Sequence, residues 1–146
     1  MMAKRILVPL DGRESSEAAA ALAADLARSS GGSVRLLQVY PVPESRMGAF
    51  GRVIAYADQE MARLTGEGRD YLESVEARFG PIAAEPVVRF GDPEREILTE
   101  AEAFDADVIV ATTTRRTGWL SRLRRGGIGE RLLHDSPVPV VLVRPA

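Results

Sequence analysis

One aspartate and a distant run of arginines carry most of the chemistry written into this chain. Asp11, followed by Gly12, closes the apolar run Ile6-Leu7-Val8-Pro9-Leu10. That is the pattern of a buried strand delivering a carboxylate to the carboxyl edge of a parallel sheet. Such a carboxylate accepts from the amino or hydroxyl donors of a ligand, or joins the water shell of a metal. Arg115, Arg116, Arg122, Arg124 and Arg125 place five guanidinium groups in eleven residues with no acid among them. Each can make a charge-assisted, often bidentate, bond to phosphate, worth roughly 1.5–3 kcal/mol. The same arginines also suit a solvated face, or pairing with acids on a partner subunit. Gly126-Gly127-Ile128 then opens a short helical pattern, whose free N–H groups and about half a positive charge favour an anion. The single histidine, His134, falls in the last turn of that pattern, where its charged form suits the helix dipole better than a general base would. Ser121 has no histidine or lysine nearby in sequence to activate it, and Trp119, between Leu120 and Leu123, reads as packing rather than a stacking platform.

Positioning these groups requires strands that alternate with helices. The apolar runs Val34–Tyr40, Pro86–Phe90, Val108–Thr112 and Val138–Val143 follow the first strand, and segments of helical period separate them, an order that favours a parallel sheet with crossover helices. Ser15 and Ser16 can cap a first helix with Ala19, Leu22, Ala23 and Leu26 on one face, ending at Gly31-Gly32. A loop from Val42 to about Arg52, with the tip Met47–Gly51, is either a lid or an ordinary surface connection. The second helix carries Met61, Leu64, Leu72 and Val75, and Gly66 and Gly68 predict a bend or a close approach. Gly91-Asp92-Pro93 supplies a turn, a cap and a proline at the first position of a third helix with Ile97, Leu98, Ala101 and Phe104 inward. The fourth helix, about Ile128 to His134, turns Ile128, Leu132 and Leu133 inward.

At 146 residues the chain suits one domain, 1–146, able to bury roughly two thirds of its unfolded surface. There is no cysteine, so thiolate chemistry and disulfides are excluded, and one histidine cannot make a structural metal site. A net charge of −2 argues against a dedicated nucleic-acid partner. No apolar run reaches the ~18 residues that span a bilayer, and no signal peptide precedes the first strand, so the expectation is a cytoplasmic protein without a membrane partner.

Four segments, taken in order, resemble the universal stress protein family over nearly the whole length: the strand ending in Asp11-Gly12, the turn Gly91-Asp92-Pro93, the run Ala106–Val110 and the ending Glu130–Val143. The resemblance implies an α/β fold, a Rossmann-like, adenine nucleotide alpha hydrolase-like three-layer sandwich with a five-stranded parallel sheet of order 3-2-1-4-5 and four helices. It also implies a homodimer paired through strand 138–143, which would remove an exposed apolar edge. Some family members bind ATP and others do not. The ligand crevice of such a sheet lies where strand order reverses. Pro9, Leu10, Asp11, Val39, Gly91, Asp92, Thr112, Arg115, Arg116, Gly126, Gly127 and Ile128 are the candidate contacts for ATP or AMP, with Mg²⁺ only alongside nucleotide. Val39 would offer backbone groups and an apolar wall to an adenine ring. The phosphate loop departs from the ATP-binding pattern. Thr112 and Arg115 stand where its first two glycines align, and Gly127 replaces a Ser or Thr. A β-branched residue forced into a left-handed conformation there would cost on the order of 1–2 kcal/mol.

Three functions follow. The first is a homodimeric stress-response module that binds an adenine nucleotide or another small anionic ligand without catalysing a reaction. The second is a ligand-free interaction module for a protein partner that the sequence does not identify. The third is a nucleotide hydrolase or self-phosphorylating enzyme.

Overall fold

The computed structural model describes residues 3–44, 46–47, 53–113 and 127–145, with 46–47 and 53–55 given by their backbone alone. Strand β1, Arg5–Leu10, is apolar throughout its centre because both of its faces are covered: Ile6, Val8 and Leu10 belong to one core cluster and Leu7 to another. Strands β2 (Ser33–Tyr40), β5 (Ala83–Phe90), β6 (Val108–Thr112) and β7 (Val140–Val143) join β1 in parallel. The sheet order is β5-β2-β1-β6-β7, the 3-2-1-4-5 arrangement expected from sequence. Helices α1 (Glu17–Ser30) and α2 (Ala57–Glu76) pack on one face, and α3 (Pro93–Phe104) and α4 (Ile128–Asp135) on the other.

Small residues let the helices sit close. Ala19, Ala20, Ala23, Ala24 and Ala27 are at most 2% exposed on α1, which ends at Gly31 in the left-handed conformation (φ 68°). A Cβ on Gly68 would stand 2.8 Å from Val88 Cγ2 and 3.1 Å from the Tyr40 ring, whereas one on Gly66 would meet open space. The two glycines of α2 therefore differ: Gly68 marks the close approach, and α2 runs through both without a break.

On the opposite face, Glu100 is 4% exposed and accepts from Arg35 Nη1 at 2.8 Å and Arg89 Nη1 at 3.2 Å. The Arg35 guanidinium also lies 4.2 Å from the centre of the Phe104 ring. This network clamps α3 to β2 and β5 and so fixes the position of the helix start that borders the strand ends. Asp92 caps that start by accepting from the Arg95 N–H at 3.0 Å, with Pro93 at the first helical position, as the sequence predicts.

Four local expectations need revision. Ser16 does not cap α1: its Oγ donates to the Arg13 carbonyl at 2.8 Å, and the chain enters the helix through a 3-10 turn, Glu14–Ser16. The connection after β2 is not wholly a loop, because Arg46–Met47 (β3) and Val53–Ala55 (β4) pair antiparallel; the tip, read as either a lid or an ordinary surface connection, lies largely outside the described residues. Leu133 is 56% exposed rather than inward, since Gly129 and Leu132 form the buried stripe of α4. Strand β7 begins at Val140, not Val138, because Ser136 Oγ bonds both Val138 N and O in a turn.

Candidate functional site

From β1 the chain runs outward to β2 and β5 on one side, then crosses back through α3 to β6 and β7 on the other, so the carboxyl ends of β1 and β6 form the switch point of the sheet. A cavity of about 390 Å³ lies there, with walls from β1, β2, β6, α3 and α4. Its apolar surface comes from Leu10, Leu37, Val39, Ile97, Ala111 and Ile128, and its polar groups from Asp11, Ser16, Gln38, Tyr40, Thr112 and Arg131. Few convergent polar groups on an apolar wall are what a small-molecule site requires.

Asp11 stands exposed at the mouth. One carboxylate oxygen accepts from the Arg13 N–H at 2.9 Å, fixing the side chain in a turn, while Oδ2 has no partner among the described residues. Gly12 takes φ +85°, which turns the chain away from the cavity immediately after the acid. The backbone of Val39 faces the same space. Tyr40 O accepts from Gly91 N on the β5 side, so the alternation of the ladder directs the preceding residue toward β1, whose pairing has already stopped at Leu10–Gln38.

Thr112 fastens the opposite wall. Its hydroxyl donates to the Ser16 carbonyl at 2.9 Å and accepts from the Ala19 N–H at 3.3 Å, tying the end of β6 to the start of α1. Thr112 is not among the residues with positive φ, so the strain anticipated for a β-branched residue at this glycine-aligned position does not arise. Gly127 caps α4 with extended backbone (φ −83°, ψ −175°) and no side-chain bond, leaving the first N–H groups of the helix beside Ile128 at the cavity. Gly129 lets this helix close on the sheet, as a Cβ there would stand 3.0 Å from Leu142 Cδ2 and 3.2 Å from Thr112 O.

Two polar atoms of the lining residues are buried without a hydrogen-bond partner, Gln38 Oε1 and Arg131 Nε. Burial, and then Glu67, raise the Tyr40 hydroxyl above the usual tyrosine range, so it stays a neutral donor. Just outside the cavity, a hydrogen bond with Asp135 raises the Glu94 carboxyl, and the same bond together with His134 lowers Asp135.

Of the residues expected from sequence, Pro9, Leu10, Asp11, Val39, Thr112 and Ile128 line this one cavity, and Gly127 adjoins it as the cap of α4. Gly91 and Asp92 form the turn before α3 and reach the cavity only through the next residue, Pro93. Arg115, Arg116 and Gly126 lie outside the described residues. Ser16, Gln38, Tyr40, Ile97 and Arg131 were not anticipated. Gln38 left a trace in the sequence, as the one amide side chain within Val34–Tyr40. A larger groove of about 720 Å³ runs along α3 to Pro137 and Val138, rimmed by Asp92, Glu94, Glu102 and Asp105, but it leads away from the carboxyl ends of the strands. Among the described residues no three His, Cys, Asp or Glu side chains gather as a metal site, and no helix is long and apolar enough to cross a membrane.

Residues 2–144 match the model of the universal stress protein family. A universal stress protein of Methanocaldococcus jannaschii is 30% identical over 145 residues, 97% of this chain and 82% of the relative. Among solved structures, a universal stress protein in complex with cAMP superposes with a TM-score of 0.74 at 18% identity, covering 100% of both chains. One from Archaeoglobus fulgidus in complex with dAMP gives 0.65 at 20% identity, over 97% of this chain and 98% of the other. The sequence match over nearly the whole chain, on a sheet of the order seen here, places this protein in the universal stress protein family.

Proposed function

We propose that this chain is a homodimeric, cytoplasmic stress-response module whose switch-point cavity holds an adenine nucleotide or a similar anionic ligand, and that it acts through its liganded state rather than by catalysis. The observation that carries this reading is the convergence of Asp11, the Val39 backbone and the start of α4 on one apolar-walled cavity. The cAMP and dAMP complexes of two structural relatives support the ligand class. The base would lie on the wall of Leu37, Val39 and Ile97, with a sugar hydroxyl donating to Asp11 Oδ2 and phosphate toward the N–H groups after Gly127. The phosphate loop is weakened relative to ATP-binding relatives, because Gly127 brings no hydroxyl and Thr112 is committed to Ser16 and Ala19. The arginines of 115–125 would offset that loss by charge, and Mg²⁺ would enter only with the phosphates.

A binding role also suits the lone histidine. His134 stands at the end of α4 away from the cavity, with its side chain 88% exposed and Nδ1 2.8 Å from Asp135. The dimer would form across β7, an apolar edge strand in which Val141 is 39% exposed. Mass spectrometry of ligand released from purified protein on denaturation, with thermal shifts by ATP and AMP, tests the proposal. An adenine nucleotide recovered, or a clear upward shift, is the expected result; a clean apo protein indifferent to both would favour an interaction module using the acid-rimmed groove along α3.

A further inference from the structure

Helix α3 separates two concavities. Pro93 and Ile97 wall the switch-point cavity, whereas Glu94, Leu98, Ala101 and Asp105 line the groove of about 720 Å³, with Glu102 beside them. Their spacing of three to four residues makes one helical stripe, about 17 Å long from Glu94 to Asp105. The far wall is Pro137-Val138, ahead of β7. The floor is apolar: Ala101 and Ala106 are buried in the core, while Leu98 and Val138 pack against it only in part and leave apolar surface to the groove. The rim is acidic. Asp92, Glu94, Glu102 and Asp105 stand there against Arg95 alone. Glu102 has no ion-pair partner among the described residues, and Asp105 meets Arg5 at 3.2 Å with its side chain 90% exposed. Glu94 shares a hydrogen bond with a second carboxyl, Asp135 of α4, and the Arg131 charge acts on both. Acids crowded in this way favour an added positive charge.

The chemistry of the rim selects the occupant. A nucleic acid or an anionic membrane surface would bring negative charge to negative charge. A second copy packed face to face by twofold symmetry would set the same acids against themselves. No three carboxylates among the described residues gather for a metal ion. What fits is a polypeptide with apolar side chains for the floor and cations for the rim. We propose that this groove docks a basic amphipathic segment of a partner protein, its apolar residues on Leu98 and Val138 and its Lys or Arg side chains among Glu94, Glu102 and Asp105. The inference is independent of the nucleotide reading, because the groove and the switch-point cavity share no lining residue.

Fluorescence anisotropy tests this on the full chain, with a labelled amphipathic peptide of lysine, leucine and alanine about 12 residues long, enough for three helical turns along the stripe. Wild type is compared with Glu102→Lys and with Glu73→Lys, an equal charge change at an exposed position of α2 on the opposite face of the sheet. Wild type is expected to bind saturably, and more weakly as salt rises. Glu102→Lys should weaken binding about fivefold or more, and Glu73→Lys by less than about twofold. Replacing the leucines of the peptide by serine should weaken it about tenfold or more. Equal losses in the two variants would reduce the effect to general attraction between a cation and an acidic surface and overturn the inference. So would a wild type that ignores the peptide, or one that binds the serine peptide as well as the leucine peptide, and these two results stand even if a variant does not fold. Sedimentation velocity of Glu102→Lys should match wild type; a changed assembly state would give the groove to a second copy instead and overturn the proposal.

Discussion

Replacing Thr112 by valine keeps the shape of the side chain and deletes one hydroxyl, which makes it a clean probe of how the wall of the cavity is held. That hydroxyl serves the Ser16 carbonyl at 2.9 Å and the Ala19 N–H at 3.3 Å, and Ala19 is wholly buried. The Ala19 N–H belongs to the first turn of α1, whose donors lack intrahelical acceptors, so no other backbone group is placed to replace the hydroxyl. A neutral hydrogen bond contributes about 0.5–1.5 kcal/mol net, and the longer of these two belongs at the low end. The expected loss is therefore roughly 1.5–2 kcal/mol. For a chain of this size, that corresponds to a fall of about 3–8 °C in melting temperature. Urea unfolding should show a lower midpoint with an unchanged slope, and Thr112→Ser should recover most of the loss. Valine within about 0.5 kcal/mol of wild type, or serine no better than valine, would refute the assignment of Thr112 as the tie between β6 and α1. Thr112→Gly should cost at least as much and bring no gain in nucleotide affinity, since Thr112 is not strained to begin with.

The two glycines of α2 should respond with opposite signs: Gly66→Ala stabilises by about 0.5–1 kcal/mol, and Gly68→Ala destabilises by about 1–3 kcal/mol through its clash with Val88 and Tyr40, both read from urea midpoints. Asp107 accepts from the N–H groups of Arg5 and Lys4, each at 2.9 Å, and these bonds hold its carboxyl below the usual aspartate range. A folded-state value lowered in this way contributes stability above the unfolded value of about 3.9, lost as pH falls through the lower folded value. Asp107→Asn should therefore flatten the acid limb of the stability profile below about pH 4 and leave its shape near neutrality unchanged; an identical acid limb would remove Asp107 from the account. If the proposed dimer forms across β7, wild type should sediment as a dimer and Val141→Lys as a monomer; a variant that stays dimeric would place the interface away from β7.

The fold was legible because its strands are buried on both faces. Ile6–Leu10 and Val108–Thr112 read as unbroken apolar runs, and only parallel sheet strands between two helix layers ask for that. The sheet order was not in the periodicity at all; it came from the resemblance carried by Asp11-Gly12, Gly91-Asp92-Pro93 and the closing segment. What escaped the sequence is what depends on three-dimensional company. Leu133 and Leu132 are the same residue type one step apart, and only the contact of Gly129 with Leu142 and Thr112 decides which of them turns inward. Ser16 has a capping side chain, yet the Arg13 carbonyl competes for it, a local bond that sequence preference does not rank. In the site, Asp11 could be named because it closes the first strand and Val39 because the resemblance marks its position, whereas Gln38 and Arg131 enter the cavity through packing.

The central claim is that the cavity between the ends of β1 and β6 is the ligand site, and one titration tests it most directly. Isothermal calorimetry of ATP into wild type and into Asp11→Ala should show saturable binding to wild type and a loss of about tenfold or more in the variant, whose fold is retained because Asp11 is exposed. ATP bound equally by both proteins, or by neither, would contradict the account.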